Sequence, residues 1–233
     1  MTLTDSYQYA NNLIARFPED LFAAENHTEY LRRVSSGASV ASTKNVIITG
    51  LCRNIINVLD HTVARLRATA KLFNDHRILI YENDSTDGTS QALKKHFEND
   101  TKTTLAQETT GVPMFGKTRE LDRPRYLAGL RNISFEGIRL LNKFFPVDYI
   151  IVVDLDLDGG WSYDGICHSF SYDNWSAMTA NGMEYVDATY VSSNGDEFSE
   201  YKPLFYDTWA WRDIKTDMRN IPDSAEVNEF NFS

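Results

Sequence analysis

Short apolar runs that alternate with helical repeats constrain this chain most. Val46-Ile-Ile-Thr-Gly50 and Arg77-Ile-Leu-Ile-Tyr81 have strand length and predict buried strands. Between them Ile55, Ile56, Leu59, Val63, Leu66, Ala70 and Phe73 recur every three to four residues, the spacing of one helix face. A second helix is expected from about Asp87 to Phe97, a weaker third strand over 103–106, and a longer helix from Arg123 to Phe144. That helix leads into Tyr149-Ile-Ile-Val-Val-Asp-Leu-Asp-Leu-Asp158, an apolar run ending in carboxylates at alternate positions. Strands that alternate with helices of this length predict an α/β fold built on a mostly parallel, doubly wound sheet.

Three regions follow from these patterns. Residues 1–44 form an N-terminal segment, helical from about Asp5 to Val34 through Tyr9, Leu13, Phe17, Leu21 and Phe22, with 35–43 as a small polar boundary loop. Residues 45–160 are the α/β half. Residues 161–233 are loop-rich and aromatic, with short strands expected over 175–179 and 204–206 and a polar tail from about Lys215. The 233 residues, 42% hydrophobic and 24% charged, suffice for a soluble domain with its own core. A formal net charge of −10 argues against non-specific duplex binding, which rewards clustered Lys and Arg, and no nucleic-acid partner is expected. A small anion needs only a local positive patch or a metal. Cys52 and Cys167 make no disulfide framework, and no signal peptide or membrane-length apolar run is visible, so a reducing, cytoplasmic setting is expected.

Chemistry is expected where the strands end, because ligands of open α/β sheets bind outside the carboxyl edge. Alternation puts Asp154, Asp156 and Asp158 on one face, with Leu155 and Leu157 opposite, provided the strand stays extended. Carboxylates so placed repel unless a cation neutralises them, and a divalent ion carrying a nucleoside diphosphate is their natural guest. The spacing also resembles the start of an EF-hand loop, but the twelfth position, where that loop needs a bidentate Glu, is Gly165. A haloacid-dehalogenase-like phosphatase, with Asp154 as nucleophile, is the enzyme alternative, although such a strand normally opens the domain. A non-catalytic nucleotide- or carbohydrate-binding module is the other alternative.

The segment Tyr81-Glu-Asn-Asp-Ser-Thr-Asp-Gly-Thr-Ser90 after the second strand has two readings. It is a helix cap built on Ser85 or Asp87, or a loop that recognises a base or ribose through Glu82 and Asp84. Arg53, Arg125 and Arg131, the last beside Asn132, are either phosphate ligands or ordinary paired and solvated cations. No G-x-G-x-x-G or Walker A sequence occurs, which sets aside dinucleotide dehydrogenases and P-loop enzymes. The histidines show no metal-binding spacing; His168 alone lies near the acidic stretch.

Taken in order, these residues resemble a nucleotide-sugar-dependent glycosyltransferase of the GT-A fold. A first strand leads into Arg53-Asn54 and a second ends in Glu82-Asn-Asp-Ser-Thr-Asp-Gly-Thr89. An Arg131-Asn132 helix then precedes Asp-x-Asp at Asp154 and Asp156. The turn and Leu127-Ala-Gly-Leu-Arg-Asn132 are also locally similar to fungal capsule-associated mannosyltransferases. The likeness covers about Asn45 to Gly160. It implies a Rossmann-like, mostly parallel sheet flanked by helices, with a small aromatic-rich acceptor region after the Asp-x-Asp motif. The implied reaction moves a sugar from a UDP- or GDP-sugar donor to a glycan, glycoconjugate or other hydroxyl acceptor. Asp156, shared with Asp154 or Asp158, would hold Mn²⁺ or Mg²⁺, and Asp154 would contact the ribose or a metal-bound water. Glu82 and Asp84 would line the base and ribose, and Arg131 or Arg53 would offset phosphate charge. Trp161, Tyr163, Trp175, Trp209 and Trp211 are candidates for the acceptor's sugar faces and equally for core. Asp207 is the candidate base of an inverting reaction, with Asp164 and Asp187 as competitors.

Overall fold

A computed structural model describes residues 27–113, 122–157, 160–180, 183–191 and 197–205. They fall into two compact units, the first running to Trp175 and the second starting at Ser176. The first unit contains α1 (His27–Ala41), β1 (Asn45–Cys52), α2 (Leu59–Ala70), β2 (Asp75–Asn83), α3 (Thr89–Phe97), β3 (Thr103–Glu108), α4 (Asp122–Leu141), β4 (Tyr149–Val152) and α5 (Tyr163–Ser169). Its strands form one sheet in the order β3-β2-β1-β4, parallel throughout. Asn45 lies opposite Asp75, Val46 opposite Tyr149, and Ile78 opposite Thr103.

The apolar runs of β1 and β2 are continuous because both of their faces are covered. Val46, Ile48, Ile78 and Ile80 join Leu59, Val63 and Leu66 of α2 and Leu93 and Phe97 of α3 in the main core. Ile47 and Leu79, one residue out of step, point the other way and pack with Ile138 of α4 and with Phe145. The expected doubly wound sheet is therefore present, with strands and helices close to the spans read from periodicity.

Two expectations are corrected. Residues 35–41 belong to α1 and not to a boundary loop. Val34, Gly37 and Ala41 are its buried positions, and a Cβ on Gly37 would stand 1.7 Å from the Cys167 carbonyl oxygen of α5. The small residues that suggested a loop are thus what lets two helices approach closely. No strand forms over 175–179. The Trp175 ring packs on Tyr149 and Phe170, and its indole N–H donates to the Tyr172 carbonyl (3.1 Å), while 176–180 are exposed.

The second unit holds an antiparallel hairpin of β5 (Met183–Val191) and β6 (Glu197–Phe205), with Met183 opposite Phe205 and Val191 opposite Glu197. Leu204 and Phe205 are in a strand as expected; β5 was not anticipated, although its Tyr, Val and Thr content favours a strand. The proposed helix before residue 27 and the tail from Lys215 lie outside the described residues.

Candidate functional site

β1 has β2, its successor in the chain, on one side and β4 on the other. The winding direction therefore reverses between β1 and β4, and the loops leaving their carboxyl ends diverge to open a crevice. One loop is Arg53-Asn54; the other carries Asp154 and Asp156.

The acidic stretch does not stay extended. The Val153 N–H still donates to the Thr49 carbonyl (2.9 Å), and the chain then turns at Leu155-Asp156. The single carboxylate face expected of an extended strand is thereby corrected. Leu155 causes the turn: it is only 1% exposed and belongs to the main core, against Gly50. Asp154 and Asp156 remain exposed on either side of it, and Asp158 lies outside the described residues. Arg131, exposed on α4, brings Nη2 to 3.5 Å from Asp154 Oδ1. Burial first, then the charges of Glu82, Asp156 and Asp87, push the Cys52 thiol far up, so these carboxylates share the surroundings of the end of β1.

The turn after β2 locks onto the loop after β1. The Asn54 N–H donates to Ser85 Oγ (2.9 Å), Ile55 N–H to Thr89 Oγ1 (2.9 Å) and Ile56 N–H to Asp87 Oδ2 (3.0 Å). In return Asn54 Oδ1 accepts from the Thr86 N–H (2.8 Å), and Asp87 Oδ1 accepts from Thr89 N–H (3.0 Å). Asn54 and Asp84 take φ of 56° and 53°, a region where short polar side chains are the tolerated non-glycine residues.

Glu82 is at the edge but buried; Oε1 accepts from Ser85 N–H (3.0 Å), and Oε2 lies 3.4 Å from Gln107 Nε2. Asp84 accepts from the Thr110 hydroxyl, from Asn83 Nδ2 (2.9 Å) and from Gly111 N–H (2.9 Å). Those bonds, Thr110 foremost, hold its carboxyl down at about 2. Arg53 Nη1 donates to the Val112 carbonyl (2.9 Å). The two polar motifs are thus largely scaffold for each other, and they fix the floor of the crevice.

Several participants escaped sequence reasoning. Tyr126 OH accepts from Asn83 Nδ2 (3.1 Å) and stands 3.2 Å from Thr110 Oγ1, joining α4 to the last residue of β2 and to the loop after β3. Gln107 Nε2 donates to the Ser90 carbonyl (3.0 Å), tying β3 to α3. Neither residue carries a sequence signal beyond its place near a strand or helix end.

Other candidates lie elsewhere. Arg125 is exposed, 3.9 Å from Asp122, and Asn132 is exposed. His168 stacks on Tyr30 at 5.1 Å between ring centroids, and Tyr163 is buried in the core. Trp175 packs on Tyr149, at the amino end of β4 and so at the opposite edge of the sheet. Asp164 stands in the first turn of α5 and Asp187 in β5, opposite Tyr201. Asp207, Trp209 and Trp211 lie outside the described residues.

Among the described residues no group of three or more His, Cys, Asp or Glu side chains gathers to hold a metal. The exposed Asp154 and Asp156 fit an ion that takes one or two carboxylates and completes its shell with phosphate oxygens and water.

A family model described as Cryptococcal mannosyltransferase 1 matches residues 45–229. The chain belongs to that family. The match begins at the first residue of β1 and takes in the whole parallel sheet, the acidic loop and the hairpin. Membership puts the chain among glycosyltransferases, with a sugar donor and an acceptor as its partners. No curated protein and no solved structure matches it. No helix among the described residues is long and apolar enough to cross a membrane.

Proposed function

We propose that the protein is a GT-A-type transferase that moves a mannosyl group from a UDP- or GDP-sugar to a glycan or other hydroxyl acceptor. One observation carries the proposal: in a member of this family, two exposed carboxylates flank a buried leucine at the reversal point between β1 and β4. Asp156 and Asp154 are the residues that would hold Mn²⁺ or Mg²⁺ on the donor's diphosphate. When bound, that ion supplies charge neutralisation for the nucleoside diphosphate leaving group.

The chain's own groups do the rest. Arg131, already beside Asp154, and Arg53 keep positive charge at the edge for the phosphates. Glu82 and Asp84 shape the nucleoside end through the loops they tie down. Asp207 is the proposed acceptor base in the region after the acidic motif, which supplies the acceptor site.

The test is incubation of the protein with a panel of UDP- and GDP-sugars, with and without Mn²⁺, while following donor hydrolysis and transfer to mannosides. Metal-dependent turnover of a mannosyl donor, lost in Asp156→Ala, is expected. Cleavage of phosphate monoesters with no donor turnover would point to a phosphatase using Asp154.

A further inference from the structure

Beside the apolar stripe of α2 runs a second row of residues that is polar and yet buried. Thr62, Arg65 and Thr69 are 3%, 1% and 0% exposed, and steps of three and four place them on one face. All three reach the acidic loop. Thr62 Oγ1 donates to the Leu155 carbonyl (3.0 Å), Arg65 Nη1 donates to the Trp161 carbonyl (2.9 Å), and Trp161 Nε1 donates to Thr69 Oγ1 (2.8 Å). Gly160, at φ 81°, lies so close to Arg65 that a Cβ there would stand 2.1 Å from Arg65 Cδ. Past Trp161 the chain is held again, where Ser162 Oγ accepts from Gly165 N–H (2.7 Å) to cap α5.

The row therefore grips the peptide between Asp154 and Asp156 at one end and Gly160-Trp161 at the other, while both aspartates stay exposed. A buried guanidinium carries a desolvation penalty that an apolar side chain of similar volume would not. What it offers instead is a rigid fork of donors that fixes a backbone position.

We propose that Arg65, with Thr62 and Thr69, is a positioning residue that sets the acidic loop so that Asp154 and Asp156 meet a metal–diphosphate. It reaches the reaction only through those aspartates, and the proposal rests on the donor-site reading above.

The test titrates Mn²⁺ in the presence of GDP or UDP and measures amide hydrogen exchange in wild type, Arg65→Met, Thr69→Val and Leu66→Ala. Leu66 is a 1% exposed neighbour on α2 that serves as the packing control. Arg65→Met should raise the Mn²⁺ midpoint about tenfold or more, the scale of supporting residues around metal ligands. It should also speed exchange at 153–157 and 160–162. Thr69→Val should shift both in the same direction by less, and keeps the test alive if Arg65→Met does not fold. Leu66→Ala should lower the melting temperature without moving the midpoint. Equal midpoint shifts in the arginine and leucine variants, or unchanged loop exchange in Arg65→Met, would overturn the proposal. Wild-type protein that takes up no Mn²⁺ with either nucleotide would sink the donor-site reading instead. Loop exchange would then decide alone, faster in Arg65→Met than in Leu66→Ala upholding α2 as the loop's support and equal rates refuting it.

Discussion

Gly50→Ala probes the contact between the sheet and the acidic loop. Gly50 lies in β1 and is buried, and its φ is not in the left-handed region, so alanine meets no backbone strain. What it meets is space: the new Cβ would fall 2.5 Å from the Val153 carbonyl oxygen and 2.7 Å from Leu155 Cγ. The first is backbone and cannot rotate away, so the acidic loop must move. Overpacking of this kind costs about 1–3 kcal/mol, and alanine's stiffer unfolded chain returns about 0.4–1 kcal/mol. A net loss of about 1.5 kcal/mol corresponds to a melting temperature lower by about 3–6 °C for a chain of this size.

The control is Gly37→Ala, whose Cβ would clash with Cys167 between α1 and α5, with no part of the acidic loop involved. Differential scanning calorimetry, with and without Mn²⁺ and a nucleotide sugar, separates the two. Both variants should melt earlier, but only Gly50→Ala should lose ligand-induced stabilisation. A Gly50→Ala protein as stable and as responsive as wild type would refute the reasoning.

Three further outcomes are expected. Leu155→Ala, which empties a core site beneath the aspartates, should cost about 2–5 kcal/mol in urea denaturation; a loss under 1 kcal/mol would show that Leu155 does not anchor the turn. Arg131→Ala should change stability by only about 0–1 kcal/mol, because its pair with Asp154 is exposed, yet weaken nucleotide binding in a fluorescence titration; unaltered binding would remove Arg131 from the site. Asp84 has a folded value of about 2 against an ordinary 3.8, so its contribution is complete above about pH 4 and is lost as pH falls through 2. The urea midpoint of wild type should therefore converge on that of Asp84→Asn between pH 5 and 2, and a constant gap would contradict the bonding to Thr110 and Gly111.

Much of the fold was legible because period and burial coincide. Val46–Gly50 and Arg77–Tyr81 are covered on both faces, so their unbroken apolar runs, with the repeats of α2, marked a parallel sheet. What failed was what depends on neighbours distant in the chain. The small polar residues over 35–41 look like a loop unless α5 is known to lie against Gly37. Asp154, Asp156 and Asp158 look like one strand face unless Leu155 is known to be pulled into the core beside Gly50. Arg65 stands one residue before Leu66, beside the apolar stripe, and nothing local announces the loop it supports. The motifs of the site were visible in order, but not that Ser85, Asp87 and Thr89 are engaged by the loop after β1.

Thermal denaturation with and without nucleotide sugars, GDP-mannose included, tests the central claim most directly. Melting should rise only when Mn²⁺ or Mg²⁺ accompanies the sugar nucleotide, by the equivalent of about 2.7 kcal/mol at a hundredfold excess over Kd, and Asp156→Ala should abolish the rise. Stabilisation that needs no divalent ion and survives Asp156→Ala, or none across the panel, would contradict a metal-held donor between β1 and β4.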